Sequence, residues 1–185
     1  MADTYFTADL HFGHENIIKY CNRPFENADK MNAMLIEFYN ARVGVNDTCY
    51  FLGDIGFCGA NELAGFLKRM NGRKILIFGN HDTIIRKNRP LFEKIFDAMH
   101  ELLELKMDGQ RYVLCHYPML AWPRGIMLHG HCHGTAVYPK AGLPILDVGV
   151  DCHGYAPINA QAVKASVAST PALDPEEAGY YLKAR

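Results

Sequence analysis

Residues 74–82, KILIFGNHD, run from a β-prone stretch straight into a glycine followed by an amide, an imidazole and a carboxylate. The apolar, branched half reads as a strand, and the polar half lies just past its carboxyl end. Four other stretches repeat this order: TYFTADLH (4–11), CYFLGD (49–54), YVLCH (112–116) and IMLHGHCH (126–133). Independent decoration of five β-like runs with metal-capable side chains is not expected by chance. In open α/β sheets ligands bind outside the carboxyl ends of the strands, so these groups are expected to converge on one rim.

Outward from these runs, the chain alternates β-prone and helix-like segments, the pattern of an α/β domain. Strands are expected near Thr4–Ala8, Thr48–Leu52, Lys74–Phe78, Leu102–Met107, Arg111–Cys115, Ile126–His129 and Ile145–Gly149. The clearest helix covers 28–43, with Met31, Met34, Leu35, Phe38 and Val43 on roughly one apolar face. A second covers 60–70 and stops at Asn71-Gly72, and a third follows Asn88-Arg89-Pro90 with Pro90 in its first turn. Asp108-Gly109 between two β-like runs signals a hairpin, which makes the sheet mixed. Beyond Asp151 a weak helix is expected from Asn159 to about Ser166, then a short terminal helix capped by Asp174 with Pro175 and Glu177. The organisation is thus a domain over 1–160 and a helical tail over 161–185, packed on that domain or extending from it.

A chain of 185 residues accommodates one sizeable core. Apolar residues at 49% and charged residues at 21% sit near the globular average, which argues against disorder and against a membrane protein. The start MADTYFTADL has no signal-peptide layout, so the expected location is the cytoplasm. Six cysteines without a CxxC pair read as reduced and mostly buried. A net charge of −1 gives no broad footprint for nucleic acid, so a small substrate is preferred and a local basic groove stays open.

Singly, each candidate has an ordinary alternative. Asp9 and His11 stand two apart and share a face if extended. Asp54 follows a glycine and is either a turn carboxylate or a bridge between two cations. Asn80 and His81 suit a turn or a cap as well as a ligand set, and His116 suits a core histidine. His131 and His133 share a face on an extended segment, with Cys132 turned away and His129 more structural than ligating. Together, two Asp, one Asn and four His are enough for two adjacent ions sharing Asp54. Nitrogen and oxygen ligands without thiolate suit Mn, Fe, Zn or Ni, and two ions about 4 Å apart are a device for phosphoryl chemistry.

In this order, Asp9-Leu10-His11, Gly53-Asp54, Gly79-Asn80-His81-Asp82, His116 and Gly130-His131-Cys132-His133 resemble the five motifs of the calcineurin-like metallophosphoesterase superfamily. DLHFGHENII, NRPF, CHYPM and DVGVD look like a compact subgroup of small bacterial and phage phosphoesterases, extending the resemblance over most of residues 4–160. It implies a four-layer αββα sandwich of two mixed sheets flanked by helices. It also implies that Asp9, His11, Asp54 and His133 hold one metal, and Asp54, Asn80, His116 and His131 the other, with Mn the favoured ion. A metal-bridging hydroxide would attack phosphorus, His81 would assist the leaving oxygen, and Asp82 would orient His81.

Three further residues are candidate substrate contacts. His14 is placed either to touch phosphate or to cap the next helix. Arg23 and Arg124 are either phosphate clamps or surface salt-bridge residues. The 117–127 stretch, with Trp122, forms a loop beside the metals that stacks a nucleobase or covers the core. The expected activity is hydrolysis of a small or nucleotide-like phosphodiester. A phosphomonoesterase, a nuclease and a catalytically silent scaffold are the alternatives.

Overall fold

The computed structural model describes residues 2–136 and 143–169. The first half comprises β1 (Thr4–Thr7), α1 (Glu15–Tyr20), α2 (Ala28–Asn40), β2 (Thr48–Phe51), α3 (Ala60–Lys68), β3 (Arg73–Ile77), α4 (Thr83–Lys87), α5 (Arg89–Phe92) and β4 (Ala98–His100). The second comprises β5 (Leu103–Met107), β6 (Gln110–Leu114), β7 (Ile126–His129), β8 (Ile145–Asp147), β9 (Ile158–Asn159) and α6 (Ala160–Ala168). One sheet has the order β4-β3-β2-β1-β9, parallel apart from β9, and the other the order β5-β6-β7-β8, in which only the β5–β6 hairpin is antiparallel. Both sheets are therefore mixed. The hairpin turns through Asp108 (φ 48°) and Gly109 (φ 76°), the left-handed pair that a two-residue turn demands.

Alternation along the strands decides the layers. Phe6, Leu52 and Ile77 of the first sheet meet Tyr112, Leu114 and Leu128 of the second in a core between the sheets. On the other side of the first sheet, Tyr5, Phe51 and Leu76 pack against Met31, Leu35, Leu63, Leu67, Ile85 and Phe92 from the helices. The outer side of the second sheet, through Val113, Met127 and Ile145, is covered by Met119 and Trp122. The result is an α/β sandwich of two mixed sheets flanked by helices, and Met119 and Trp122, packed on the outer face of the second sheet, come from the loop after β6.

The α2 face differs from the expected one. Met31, Asn32, Leu35, Ile36 and Tyr39 are buried, while Met34 and Phe38 are only half-buried. Asn32 accounts for the rotation, because its Oδ1 accepts the Gly13 N–H at 3.0 Å and draws that side inward. Helix α6 begins across the expected 160/161 boundary, with Asn159 as N-cap accepting from Ala162 N at 2.7 Å. Val163 enters the inter-sheet core, so this part of the tail belongs to the domain. The expected helix at Asp174 lies outside the described residues. Among the described residues, no helix is long and apolar enough to cross a membrane.

The carboxyl ends of β1, β2 and β3 share one edge because the strands are parallel, and those of β6 and β7 share another for the same reason. A parallel bridge between Ala8 and Gly149 joins the two edges into a single rim.

Candidate metal centre

At that rim the chain leaves the extended conformation. Asp9 (φ 59°), His11 (54°), Asp54 (56°), His131 (69°) and His133 (47°) are all left-handed. The shared faces expected for Asp9/His11 and for His131/His133 therefore come from tight turns and not from strand pleating. Asp, Asn and His tolerate this region better than other side chains, yet each such residue still costs about 1–2 kcal/mol. Hydrogen bonds between the loops hold the strain: Asp9 N to Gly53 O and His11 N to Asp54 O, both 3.0 Å, and Gly130 N to His116 O at 3.0 Å. Two glycines allow the close approach. A Cβ at Gly53 (φ 84°) would stand 2.7 Å from His116 Nδ1, and one at Gly130 would stand 2.6 Å from Asp9 Oδ2.

The turns bring the candidates into two groups whose ligand atoms lie within 4.8 Å of one another: Asp9, His11 and His133 in one, and Asp54, His116 and His131 in the other. Asp54 connects them, with Oδ2 3.7 Å from His11 Nε2 and Oδ1 3.5 Å from His116 Nε2. Asn80 joins the second group through Oδ1, 2.9 Å from His116 Nε2. Asp9, His11, Asp54 and His116 form a buried floor, whereas Asn80, His81 and His131 are exposed at the mouth.

Two observations show that the donor set suits a cation. His11 Nε2 is buried without a hydrogen-bond partner among the described residues, and it faces the Asp54 carboxylate. An orphaned polar atom of this kind costs about 1–3 kcal/mol unless something satisfies it. His116 Nδ1 lies 2.7 Å from Leu52 O and donates there, which turns the other ring nitrogen toward the oxygens of Asn80 and Asp54. A positive charge between those atoms, proton or metal, would satisfy the ring nitrogen and both oxygens together.

The electrostatics agree. Burial works to lower the pKa of His116, but the Asp54 hydrogen bond and charge outweigh it and raise the value. Burial likewise works to raise Asp54, and the His116 contact and the His81 N–H together hold it at about 2. Burial dominates at Asp9 and lifts it to about 7. A divalent cation beside Asp9 favours the carboxylate and reverses that balance. A third group, Cys21, His133 and Asp151, also has ligand spacing. There the guanidinium of Arg23 takes both Asp151 oxygens at 2.8 Å and repels a cation.

The remaining expected residues divide. His81 has a 46% exposed side chain at the mouth; its N–H donates to Asp54 Oδ1 at 2.9 Å and its Nε2 lies 4.0 Å from Asp54 Oδ2. Asp82 does not serve as the orienting partner expected for the His81 ring. Its buried carboxylate accepts from Asp54 N (3.1 Å), Ile55 N (2.9 Å) and Gly79 N (2.8 Å), clasping two strand-end loops together. His14 occupies the N-cap of α1 without a side-chain capping bond, so the capping alternative fails. Its Nδ1 lies 3.3 Å from His11 Nδ1 and its ring stacks on Phe57 at 4.1 Å.

Arg23 is neither a phosphate clamp nor a surface residue, because it is buried against Asp151 and the carbonyls of Asp9 and Leu10. Arg124 is exposed on the 117–125 loop and makes no ion pair or hydrogen bond among the described residues. His129 is buried with Nδ1 2.7 Å from Gly130 O, a structural position. Residue-by-residue reading of the chain overlooked Asp151, whose Oδ2 lies 2.7 Å from His133 Nδ1. It also overlooked Asp147, which accepts from Gly149 N at 2.8 Å and Gly134 N at 3.0 Å. The stretch DVGVD carries both, two residues either side of Gly149, and its carboxylates were the available signal.

Against known proteins, no family model matches the chain. It is 33% identical over 168 residues to the uncharacterized protein MJ1445 of Methanocaldococcus jannaschii, spanning 86% of this chain and 88% of that one. It is 28% identical over 185 residues to the Gene 66 protein of Mycobacterium phage L5, spanning 83% and 89%. Among solved structures, the protein of unknown function AQ665 from Aquifex aeolicus aligns over 90% of this chain and 100% of its own, with a TM-score of 0.69 and 25% identity.

Proposed function

Starting from membership of the chain in one family with MJ1445 of Methanocaldococcus jannaschii, we propose that it is a two-metal phosphoester hydrolase acting on small or nucleotide-like phosphodiesters. The observation that carries this reading is the orphaned Nε2 of buried His11 facing Asp54, a carboxylate that lies between two ligand groups. Asp54 would serve both ions through its two oxygens. Asp9, His11 and His133 would complete one site, and Asn80, His116 and His131 the other. Two divalent ions, Mn ahead of Fe, Zn and Ni, supply Lewis acidity and a water of lowered pKa suited to in-line displacement at phosphorus.

The chain's own residues then have separable tasks. The buried floor fixes charge and excludes water from beneath the site, and the exposed mouth admits substrate. His81, at the mouth and 4.0 Å from the shared carboxylate, stands where it can donate a proton to the leaving oxygen. Arg23 is committed to Asp151, and among the described residues no other Arg or Lys pairs with the ligand groups. A monoester dianion gains more from a guanidinium clamp than a diester monoanion does. That difference favours the diester. Retention of all seven ligand candidates and His81 in one constellation favours an enzyme over a silent scaffold.

The test is turnover of metal-stripped protein, reconstituted with Mn, on bis-p-nitrophenyl phosphate and on p-nitrophenyl phosphate, with Asp54→Ala as control. Mn-dependent cleavage of the diester that vanishes in the variant is the expected result. Cleavage of the monoester alone would replace diesterase by phosphatase, and two tightly bound ions with no turnover on either compound would return the silent scaffold.

A further inference from the structure

Resting on the two-metal reading, we propose that Arg23 and Asp151 are a positioning pair that builds the first metal subsite, acting through His133 and the backbone at Asp9. Arg23 follows α1, and Asp151 lies in the short 3-10 turn Val150–Cys152. Arg23 Nε and Nη2 meet Asp151 Oδ1 and Oδ2, both at 2.8 Å, with the guanidinium fully buried. The same guanidinium donates to Leu10 O at 3.0 Å and to Asp9 O at 2.7 Å. Asp151 Oδ2 in turn takes His133 Nδ1 at 2.7 Å. One side chain thus reaches two ligands of the first group, His133 through Asp151 and Asp9 through its left-handed carbonyl turn.

The chemistry explains why an expensive buried ion pair sits here. Asp151 accepts Nδ1–H from His133, which sets the tautomer whose Nε2 carries the lone pair and aims the ring. Arg23 holds Asp151 anionic and in plane through a bidentate fork. Because both oxygens of Asp151 are engaged, a cation is kept from the neighbouring Cys21 thiol side of His133 and directed to the Asp9 side. A lysine supplies one ammonium and cannot meet two carboxylate oxygens and two carbonyls together.

Equilibrium dialysis with Mn, read by metal analysis and by Mn electron paramagnetic resonance, tests this without reference to turnover. Wild type is expected to bind two ions. Asp151→Ala should keep one at wild-type affinity and lose about 10- to 100-fold at the other. In a His133→Ala background, Asp151→Ala should cost less than it does in wild type, because only the route through Arg23 and the Asp9 backbone is left, and this non-additivity separates positioning from general loosening. Arg23→Lys should behave like Asp151→Ala. If Asp151→Ala fails to fold by circular dichroism, Asp151→Asn, whose amide oxygen still accepts from His133, should retain affinity within severalfold. Equal weakening of both ions, additivity with His133→Ala, or tenfold loss in Asp151→Asn would overturn the pair. Two ions bound with the expected coupling but no phosphoester cleavage would sink the hydrolase and leave the pair standing. A wild type that binds no ion would end both.

Discussion

Replacing Asp82 by alanine removes the acceptor of three buried backbone N–H groups, those of Asp54, Ile55 and Gly79. Each orphaned donor costs about 1–3 kcal/mol, so after partial rescue by water entering the space the sum is roughly 3–6 kcal/mol. Against a total of about 5–15 kcal/mol for a domain, that is a large share. With a urea slope of about 2–3 kcal/mol/M, the midpoint should fall by about 1–3 M. The measurement is urea denaturation in chelator, so that lost metal binding does not enter. Asp82→Asn, which keeps the size but points an amide N–H at a backbone N–H, should lie between the two. A midpoint shift below about 0.5 M for Asp82→Ala, combined with collapsed turnover, would refute the clasp and return Asp82 to the reacting machinery.

Other outcomes follow from the same geometry. Burial lifts Asp9 from an ordinary 3.8 to about 7, so the metal-free native state keeps a proton that the unfolded chain has released. That contribution is complete below the unfolded pKa and is lost as pH rises toward about 7, so metal-free wild type should weaken relative to Asp9→Asn over that range, with Mn erasing the difference. Parallel melting temperatures for the two proteins between about pH 4 and about pH 7.5 would contradict it. His81→Asn should retain both ions and lose about 10²- to 10⁴-fold in kcat; full activity with both ions bound would remove His81 from its role. Gly130→Ala places a Cβ 2.5 Å from Ala8 Cβ and 2.6 Å from Asp9 Oδ2. It should cost about 1–3 kcal/mol and weaken the ion held by Asp9, while unchanged stability and metal content would show that the turn simply yields.

The sheets were legible because their strands are apolar runs with abrupt polar ends, and the ligand candidates because those ends repeat. What escaped is non-local. β4 and β9, of three and two residues, are too short to show a period and exist only because a neighbouring strand offers an edge. Arg23 reads as a surface cation until Asp151, 128 positions away, is seen to meet it in the core. Asp82 sits among candidate ligands in GNHD, and no spacing reveals that its oxygens serve the backbone. The left-handed turns were also invisible: an alternation argument assumes extended backbone, and it brought Asp9 with His11 and His131 with His133 to one side for a reason the structure does not use.

Those turns narrow the alphabet available at the rim. A position at φ near +55° admits glycine, asparagine, aspartate or histidine and resists branched side chains. At His11, whose Nε2 has no hydrogen bond to lose among the described residues, glycine would strip a candidate ligand and relieve backbone strain in one change, while emptying the buried space the ring fills. Asparagine would do nearly the same. Losing the donor set and losing the fold are thus weighed against each other at one position: relief of left-handed strain stands opposite the ring contacts that His11 makes with His14, Phe57 and His133.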